Sequence, residues 1–314
     1  MKQTKEILKS RHAYLIMAHN KFEILAKLLV LLDDERNDIY LHIDQKVGFF
    51  DYEYYRSLLK KSPLYVTKRI DVGWGDYSQI ECEYTLLKEA ISRNISYQYY
   101  HFLSGVDLPL KTQDEIHQFF QTIADKEVVQ LADQTLIQKR HAYYRISRYH
   151  FFSRYTKHQS KIVRALVRIM NFCIMPLQSL FHIDRLKNMG IEVGYGANWV
   201  SITDAFARYI VSQEAWVRKH FKYSLCADEL LVQTLLVNSP FVNKVYEPKR
   251  CHNFNGNPCM RYIDWERGNP YVFTSADYKT LMNSDMLFAR KFDDQKDADI
   301  IDHIYQEIKQ RQEK

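Results

Sequence analysis

Residues 99–112, YYHFLSGVDLPLKT, decide the fold class of this 314-residue chain. An apolar and aromatic run fills 99–103 and ends at Ser104, and a single acid and a proline follow at Asp107 and Pro109. Short apolar runs that end in glycine, aspartate and proline are typical of buried strands in an α/β sheet. Because ligands of such sheets lie beyond the carboxyl ends of the strands, we expect Asp107 at the ligand-binding edge.

The chain before this stretch predicts a strand–helix–strand unit. AYLIMA at 13–18 and IYLHI at 39–43 indicate strands, and apolar residues at helical spacing indicate a helix at 22–32. Such a unit implies two parallel strands with a right-handed crossover. The other predicted elements are strands near 64–66 and 99–103, a turn into a strand at 194–202, helices at 77–92, 113–122, 161–180, 204–211, 226–236 and 274–287, and a polar terminal helix. We therefore expect one α/β domain over 11–314, with a mostly parallel central sheet flanked by helices and a basic, partly helical insertion at about 134–190.

Composition argues against several other classes of protein. The chain has only 9 glycines and lacks both G-x-G-x-x-G and G-x-x-x-x-G-K-[ST], so a dinucleotide or P-loop fold is not expected. Its 5 cysteines are widely spaced without a C-x-x-C pair, which argues against a disulfide framework or zinc site and favours a reducing compartment. Residues 1–11 lack the apolar core of a secretory signal, and no apolar run approaches the roughly 20 residues of a spanning helix. We therefore expect a cytoplasmic protein.

The positive charge is concentrated in one region. Residues 134–183 contain nine Lys or Arg and no acid, and subtracting these nine from the net charge of +6 leaves about −3 elsewhere. A basic region with an amphipathic helix suits peripheral contact with the anionic inner face of the cell membrane. An ordinary solvated basic surface is the alternative. Nucleic-acid binding does not account for the acids at the strand ends, so we expect no nucleic-acid partner.

Polar side chains follow three of the predicted strands: His19, Asp44 and Asp107. Convergent polar groups at the carboxyl edge of a parallel sheet are typical of a nucleotide site, although each residue could instead cap a loop. In many nucleotide-sugar transferases an Asp-x-Asp pair at this edge holds a divalent metal. Here the pair is reduced to Asp107, which suits a sugar hydrogen bond or a loop anchor better than a metal ligand. The literal D-x-D at 297–299 lies in the polar terminal helix and is predicted to be solvated surface.

Two further sites could carry chemistry. Trp74 is flanked by glycines in a loop, where it could stack on a base or sugar or simply cover the core. Asp228 and Glu229 begin a predicted helix, where acids are stabilised by the helix dipole. Adjacent carboxylates at a buried edge also raise the pKa of one of them, as a general base requires.

Cationic side chains in the last third of the chain could replace a metal at a diphosphate. These are Arg261, Arg267, Arg290 and Lys291. Lys291 is flanked by apolar residues, and Arg267 lies in a turn from which it can reach inward. Such groups stabilise negative charge on a leaving diphosphate.

Taken in order, these segments resemble the core-2/I-branching β-1,6-N-acetylglucosaminyltransferase family, which also contains the peptide O-xylosyltransferases. The resemblance covers about 13–293. Its landmarks are AYLIMAHN, YLHIDQK, VGWGDYSQIECEYTLLKEA, HFLSGVDLPLKT, GANWVSIT, ADELLVQTLL, RYIDW and LFARKFD. LSGVDLPLKT together with LFARKFD is the most specific combination.

The resemblance implies a GT-A-type fold, a UDP-sugar donor, inversion at the anomeric carbon and a donor site that needs no divalent metal or other cofactor. By position, Glu229 matches the catalytic base, Asp44 and Trp74 match residues lining the uridine, and Lys291 matches a residue gripping the diphosphate. A second basic residue falls on Arg267, which we prefer, or on Arg261. The remaining candidate donor-site residues are His19 and Asp107, followed by Asp228, Trp199 and Arg290.

The chain also departs from the animal members, which carry a membrane anchor, a stem and several disulfides. It therefore resembles a bacterial cytosolic relative acting in cell-surface or exopolysaccharide synthesis. GlcNAc is the expected sugar and UDP-xylose or another UDP-sugar the alternative. The acceptor is expected to be a glycan hydroxyl, lipid-linked if the basic region contacts the membrane. A catalytically inactive sugar-nucleotide sensor and a basic membrane- or nucleic-acid-binding module are the non-enzymatic alternatives.

Overall fold

The fold is built on the strand–helix–strand unit near the start of the chain. A computed structural model describes residues 11–187, 189–247 and 258–314, so Cys251 lies outside the described residues. Strand β1 (His12–Ala18) leads into helix α1 (Phe22–Leu32) and strand β2 (Asn37–Ile43). The two strands are parallel, as the sequence predicts. All seven residues of β2 are buried, as expected for a strand covered on both faces.

Five strands form the main sheet in the order β3–β2–β1–β4–β6, with β3 at Leu64–Val66, β4 at Tyr99–Ser104 and β6 at Ser201–Thr203. Neighbours among the first four strands are parallel, whereas β6 is antiparallel to β4. The carboxyl ends of β1, β2 and β4 meet at one edge. There the amide of Asp44 donates to the carbonyl of Ala18 at 3.0 Å, and that of Gly105 donates to Met17 at 2.9 Å. The edge predicted to hold the ligand therefore exists.

Helices cover both faces of this sheet. On one face Leu15 packs in a core with Leu86, and on the other Ile16 packs in a second core with Ile304. Adjacent residues of β1 thus serve different cores, as strand alternation requires. The described helices after α1 are α2 (Tyr52–Ser57), α3 (Ser78–Ser92), α4 (Gln113–Thr122), α5 (Gln134–Lys139), α6 (Ala142–Ser147), α7 (Lys161–Leu180), α8 (Asp204–Ser212), α9 (Glu214–Phe221), α10 (Asp228–Val237), α11 (Tyr278–Met282) and α12 (Ala298–Gln312). The α/β class with a parallel-rich central sheet is confirmed.

A second, three-stranded sheet joins the end of the chain to the ligand edge. Its order is β5–β8–β7, with β5 at Leu108–Pro109, β7 at Arg261–Ile263 and β8 at Phe288–Arg290. Because β5 follows β4 closely, this sheet holds Arg290 and Lys291 near that edge. The predicted helix over 274–287 is wrong: a 3₁₀ turn at Ser275–Asp277 and the five-residue α11 occupy only part of it. The polar stretch after α11 ends the helix, and the Ser284 hydroxyl donates a hydrogen bond to the carbonyl of Leu281.

Residues 134–187, here called the basic segment, contain α5, α6, a 3₁₀ turn at Ser153–Tyr155 and α7. Only Val167 and Gln178 of α7 are buried. By length and composition alone, α7 is a helix that could cross a membrane, so the expectation that the chain has no such stretch is wrong. Lys161, Arg164 and Arg168 interrupt the apolar run in the sequence, yet the 20-residue helix remains apolar on average.

Candidate active site

The carboxyl edge of the main sheet opens into a cavity of about 400 Å³ whose lining includes His19, Asp44 and Lys46. Asp44 is nearly buried, accepts a hydrogen bond from the Lys46 amide at 2.8 Å, and pairs with the Lys46 ammonium at 3.0 Å. The turn after β2 therefore fixes this carboxylate at the cavity. The edge brings His19 and Asp44 together, as the sequence predicts.

Lys291 directly follows β8 and lies near enough to His19, in the lining of this cavity, to act on it electrostatically. Burial lowers the pKa of His19, nearby Lys291 acts in the same direction, and Asp44 opposes both. His19 therefore lies in the fields of both Asp44 and Lys291, and at neutral pH it offers a neutral ring at the edge. The amide of Lys291 bonds the carbonyl of Tyr271 at 3.4 Å, and its carbonyl accepts from Phe273 at 3.0 Å. The backbone that carries Lys291 is thus held on both sides.

The loop around Trp74 is fixed at both ends. At one end, the Lys46 ammonium donates to the carbonyl of Val72 at 2.5 Å. At the other, the carbonyl of Gly75 accepts from the Cys226 amide at 3.0 Å. Gly75 has a φ of +71°, which a side chain would strain. The Trp74 ring is half exposed, and the Lys157 ammonium lies 3.5 Å from its centre, which leaves the opposite face of the ring for a planar ligand.

Asp228 and Glu229 begin α10, and the structure gives them different surroundings. Asp228 is buried and accepts hydrogen bonds on Oδ2 from the side chains of Gln79 at 2.9 Å and Asn198 at 3.1 Å. Burial, assisted by the neighbouring Glu229, raises the pKa of Asp228 to about 7. The sequence predicts a raised pKa for one carboxyl of this pair, and in the structure that carboxyl is Asp228.

Glu229 faces the basic segment. Its Oε2 accepts from the Arg145 guanidinium at 2.6 Å and from the Tyr195 hydroxyl at 3.2 Å. Among the described residues Oε1 has no protein partner, and the side chain is 27% exposed. The ion pair orients the carboxylate through one oxygen while the other oxygen stays open to a ligand.

Asp107 is fully buried behind this edge. Its carboxylate accepts from the Ser104 amide at 2.9 Å and the Ser104 hydroxyl at 2.5 Å. The guanidinium of Arg290 lies 3.5 Å away and packs 3.9 Å from the centre of the Trp199 ring. Burial raises the pKa of Asp107, whereas Arg290 acts in the opposite direction. Of the two roles expected for Asp107, the contacts match the loop anchor.

The two arginines predicted to bind the diphosphate, Arg261 and Arg267, are not among the residues that line the cavity at the carboxyl edge. Arg261 is fully buried, where it donates to the Ser201 hydroxyl at 2.9 Å and the Val200 carbonyl at 2.9 Å. It therefore joins the two sheets and is not placed to bind a diphosphate from solvent. Arg267 is 47% exposed but pairs with Asp264 at 2.5 Å and Asp277 at 2.7 Å. Its charge is already compensated within its own turn.

Sequence reasoning missed the residues that hold the candidate base. Arg145 lies 84 residues before Glu229, and its only signal was membership of an acid-free stretch. The Lys157 ammonium, 3.5 Å from the centre of the Trp74 ring, was missed for the same reason. Over the described residues, no group of three or more His, Cys, Asp or Glu side chains is arranged to hold a metal ion.

Comparison with known proteins identifies sequence relatives of this chain. A mouse N-acetyllactosaminide β-1,6-N-acetylglucosaminyl-transferase is 21% identical over 297 residues, which cover 90% of this chain and 68% of the mouse protein. The xylosyltransferase oxt of Drosophila melanogaster is 22% identical over 92% of this chain, but the match spans only 32% of the fly protein. The apo crystal structure of mouse xyloside xylosyltransferase 1 aligns with a TM-score of 0.39 at 11% identity, covering 88% of this chain and 97% of that one.

The family match covers most of the chain. The sequence model described as Core-2/I-Branching enzyme matches residues 12–287, from β1 to the residue before β8. That range contains the carboxyl edge of the main sheet, the Trp74 loop and Glu229. The chain belongs to the core-2/I-branching family of glycosyltransferases.

Proposed function

We propose that this enzyme transfers a sugar from a UDP-sugar to a hydroxyl of a glycan acceptor, with inversion and without a divalent metal. The observation that carries the proposal is the asymmetry of Glu229, whose Oε2 accepts from Arg145 and Tyr195 while Oε1 forms no hydrogen bond within the described residues. A general base needs this arrangement, because one oxygen must stay free to take the acceptor proton.

The proposed reaction is a single in-line displacement. Glu229 removes the proton of the acceptor hydroxyl as that oxygen attacks the anomeric carbon, and the bond from this carbon to the β-phosphate oxygen breaks. UDP leaves with the electron pair, opposite to the incoming oxygen, which inverts the anomeric centre. The loop around Trp74 connects the donor side of the site to the base. Lys46 pairs with Asp44 and donates to the carbonyl of Val72 in this loop, and the carbonyl of Gly75 accepts from Cys226, three residues before Glu229. These contacts support a single site for donor and acceptor.

Lys291 supplies the charge that the departing diphosphate needs. Lys291 and Lys46 both act on His19 at the cavity, but Lys46 pairs with Asp44 and Asp71, whereas Arg261 is buried and Arg267 is paired with two acids. We assign the uridine to Asp44 and Trp74. Stacking on an aromatic ring contributes about 1–3 kcal/mol per base in nucleic-acid complexes, which sets the scale expected for Trp74.

Glu229→Gln tests the base. The substitution keeps the size of the side chain and an oxygen for Arg145, so UDP affinity and melting temperature should remain those of the wild type. Turnover should fall by roughly 10²–10⁴-fold. Glu23→Gln, at an exposed position in the first turn of α1, is the matched control and should keep full activity. Near-normal turnover in Glu229→Gln would remove Glu229 from the mechanism.

Metal independence has its own test. The oxygens of Asp107 already accept from Ser104, which supports a diphosphate site built on side-chain cations. Initial rates measured with EDTA and with added Mn²⁺ or Mg²⁺ should agree within about twofold. A rate that EDTA abolishes and Mn²⁺ restores would contradict this part of the proposal.

The donor sugar is proposed to be GlcNAc, with xylose or another sugar as the alternative. The two kinds of relative are named for these two transfers and are almost equally similar to this chain. Calorimetry across UDP-GlcNAc, UDP-xylose and UDP alone, with EDTA present, decides between them. A protein that binds a UDP-sugar but neither transfers nor hydrolyses it would instead be a sensor.

The acceptor is proposed to be a surface glycan or exopolysaccharide intermediate, assembled on a lipid at the inner face of the cell membrane. This places the enzyme in the cytoplasm, with the basic segment in peripheral contact with lipid. The acid-free composition of 134–183 supports that location.

A further inference from the structure

Exposed apolar side chains are concentrated in the basic segment. In the described part of the chain, every strongly exposed large apolar or aromatic residue lies between Tyr143 and Phe181, apart from Phe49, Tyr54 and Trp74. Scattered exposed residues need no explanation, but a contiguous apolar surface marks a contact with a partner or a membrane. The segment that holds the candidate base therefore also carries an uncovered apolar surface.

One face of α7 forms the centre of this surface. The exposed residues Ile162, Leu166, Ile169, Cys173, Leu177 and Leu180 follow one another at intervals of three or four positions. Side chains at such intervals lie on one side of a helix. Ile162 is 73% exposed and Leu180 is 70% exposed, so the face is open from the first turn to the last.

The charge of the same segment indicates which partner covers this face. Lys161 and Arg168 of α7 are exposed, and neither forms an ion pair within the described residues. The stretch 134–183 contains no acid that could weaken their field. A helix with an apolar face and basic flanks is typical of those that lie in the surface of an anionic bilayer.

We propose that the face of α7 lies on an anionic lipid bilayer, parallel to its surface, with Lys161 and Arg168 at the headgroups. The proposal refines the peripheral location included in the proposed function, but lipid binding itself does not depend on sugar transfer. The two can therefore fail separately.

Contacts of the basic segment join this face to the candidate active site. Arg145 holds Glu229, Arg154 pairs with Asp71 in the loop before Trp74, and Lys157 lies over the Trp74 ring. A helix docked on lipid therefore holds the acceptor side of the site close to the bilayer, where a lipid-linked glycan would be presented.

Vesicle flotation of the whole protein tests the apolar face. Wild type should float with vesicles of phosphatidylcholine containing about 30% phosphatidylglycerol and bind pure phosphatidylcholine at least tenfold more weakly. The double variant Leu166→Glu/Ile169→Glu should lose at least tenfold in partitioning to the anionic vesicles. Phe49→Glu/Tyr54→Glu is the matched control, since it makes the same changes at exposed residues outside the segment. Equal binding by the α7 variant and the wild type would overturn the proposal.

Substitutions of basic residues test the electrostatic part. Lys161→Gln/Arg168→Gln should weaken partitioning by roughly fivefold per residue, and the difference should shrink in high salt. Lys60→Gln/Lys61→Gln removes the same charge at exposed positions outside the segment and should have little effect. An equal loss in both double variants would show that only net charge matters and would contradict docking through α7.

Cys173 allows the position of the face to be read directly. In a variant carrying Cys226→Ser and Cys251→Ser, Cys173 is the exposed thiol of the described chain, because Cys82 and Cys259 are buried. An environment-sensitive fluorophore on Cys173 should shift to the blue with anionic vesicles, whereas the same label on Lys61→Cys in a Cys173→Ser background should not. Equal spectra with and without vesicles would overturn the proposal.

Two other outcomes would contradict the proposal, one by identifying a different partner and one by identifying a different orientation. If the protein forms a concentration-dependent dimer that Leu166→Glu/Ile169→Glu dissolves, and it does not float, the face binds a second copy and the lipid proposal is wrong. If membrane-bound protein resists extraction by alkaline carbonate, α7 spans the bilayer and the surface orientation is wrong. Release by carbonate supports the proposal.

Discussion

The Arg145 guanidinium donates to the Glu229 carboxylate at 2.6 Å, and this pair joins the basic segment to the start of α10. Both side chains are partly exposed, at 18% and 27%, so the pair borders the site and is reached by solvent. Arg145 and Tyr195 both donate to Oε2 of Glu229, so they orient the carboxylate without blocking Oε1. Arg145 is therefore a positioning residue for the proposed base.

Replacing Arg145 should lower kcat and leave the KM for the UDP-sugar nearly unchanged. The guanidinium fixes one oxygen of the proposed base, so its loss removes the orientation that proton transfer needs. In Arg145→Met we expect kcat to fall by roughly 10²-fold. Arg145→Lys should restore part of kcat, because it returns a charged donor without the fork geometry of arginine.

Arg168→Met serves as the control, since it removes an exposed arginine from the same segment. Its kcat and KM in the absence of lipid should match those of the wild type. If Arg145→Met changes kcat and KM together, melts at a lower temperature and is not rescued by Arg145→Lys, Arg145 only supports the fold.

The buried carboxyl of Asp228 should make stability depend on pH. Its pKa is about 7 in the folded protein and near 4 in an unfolded chain, so between these values the folded state binds more protons. Stability must therefore fall as pH rises through this window, and the loss is complete above about pH 7. Asp228→Asn should remove this loss of stability, raising the free energy of unfolding at pH 8 by an amount on the order of 4 kcal/mol and leaving it nearly unchanged at pH 4.

Denaturant titration at the two pH values measures this difference. The asparagine introduced by Asp228→Asn does not titrate, and its amide oxygen can still accept from Gln79 and Asn198. Asp228→Ala is the contrasting variant, because it leaves both amides without their acceptor and should be less stable at both pH values. An Asp228→Asn variant that is destabilised equally at pH 4 and pH 8 would contradict a raised pKa.

Local signals explain which elements the sequence predicts well. The predicted ends of α1, α4 and α7 coincide with those observed, and the capping box between Thr112 and Glu115 is present. These elements depend on apolar spacing and caps that lie within the element itself. Strand β8, at 288–290, was missed because its three residues are specified by β5 and β7, which are distant in the chain.

The same distinction applies to the candidate site. Asp44, Trp74 and Glu229 could be found because each follows a predicted strand, lies in a glycine-flanked loop or begins a helix. Their partners Arg145 and Lys157 could not, since only the folded chain brings the basic segment against them. Local sequence patterns can suggest candidate reacting groups, whereas the groups that orient them depend on tertiary contacts.

Arg261 should be essential to stability rather than to donor binding. Arg261→Met keeps an apolar side chain of similar length but leaves the Ser201 hydroxyl and the carbonyls of Val200 and Cys259 without this donor. The Ser201 hydroxyl keeps its contact with the His101 ring at 2.7 Å, and the Val200 carbonyl keeps the Phe102 amide at 3.0 Å, so the Cys259 carbonyl is the group left unsatisfied. One buried group left unsatisfied costs about 1–3 kcal/mol, which is the loss we expect. Thermal unfolding should show a melting temperature lower by a few degrees, at about 2–4 °C per kcal/mol lost. The protein that remains folded should bind UDP like the wild type; a selective loss of UDP affinity at unchanged melting temperature would return Arg261 to the diphosphate site.

Lys291 should determine the affinity for the diphosphate of the donor. Lys291→Met should weaken UDP binding by at least about tenfold and leave uridine binding unchanged, because the ammonium is assigned to the phosphates and not to the base. Lys296→Met is the matched control, as it removes a nearby lysine that packs on Tyr271. Arg267→Met should change UDP affinity by less than about threefold, since Asp264 and Asp277 already balance its charge in an exposed turn. Calorimetry with uridine, UMP and UDP separates these effects, and a larger loss in Arg267→Met than in Lys291→Met would reverse the assignment.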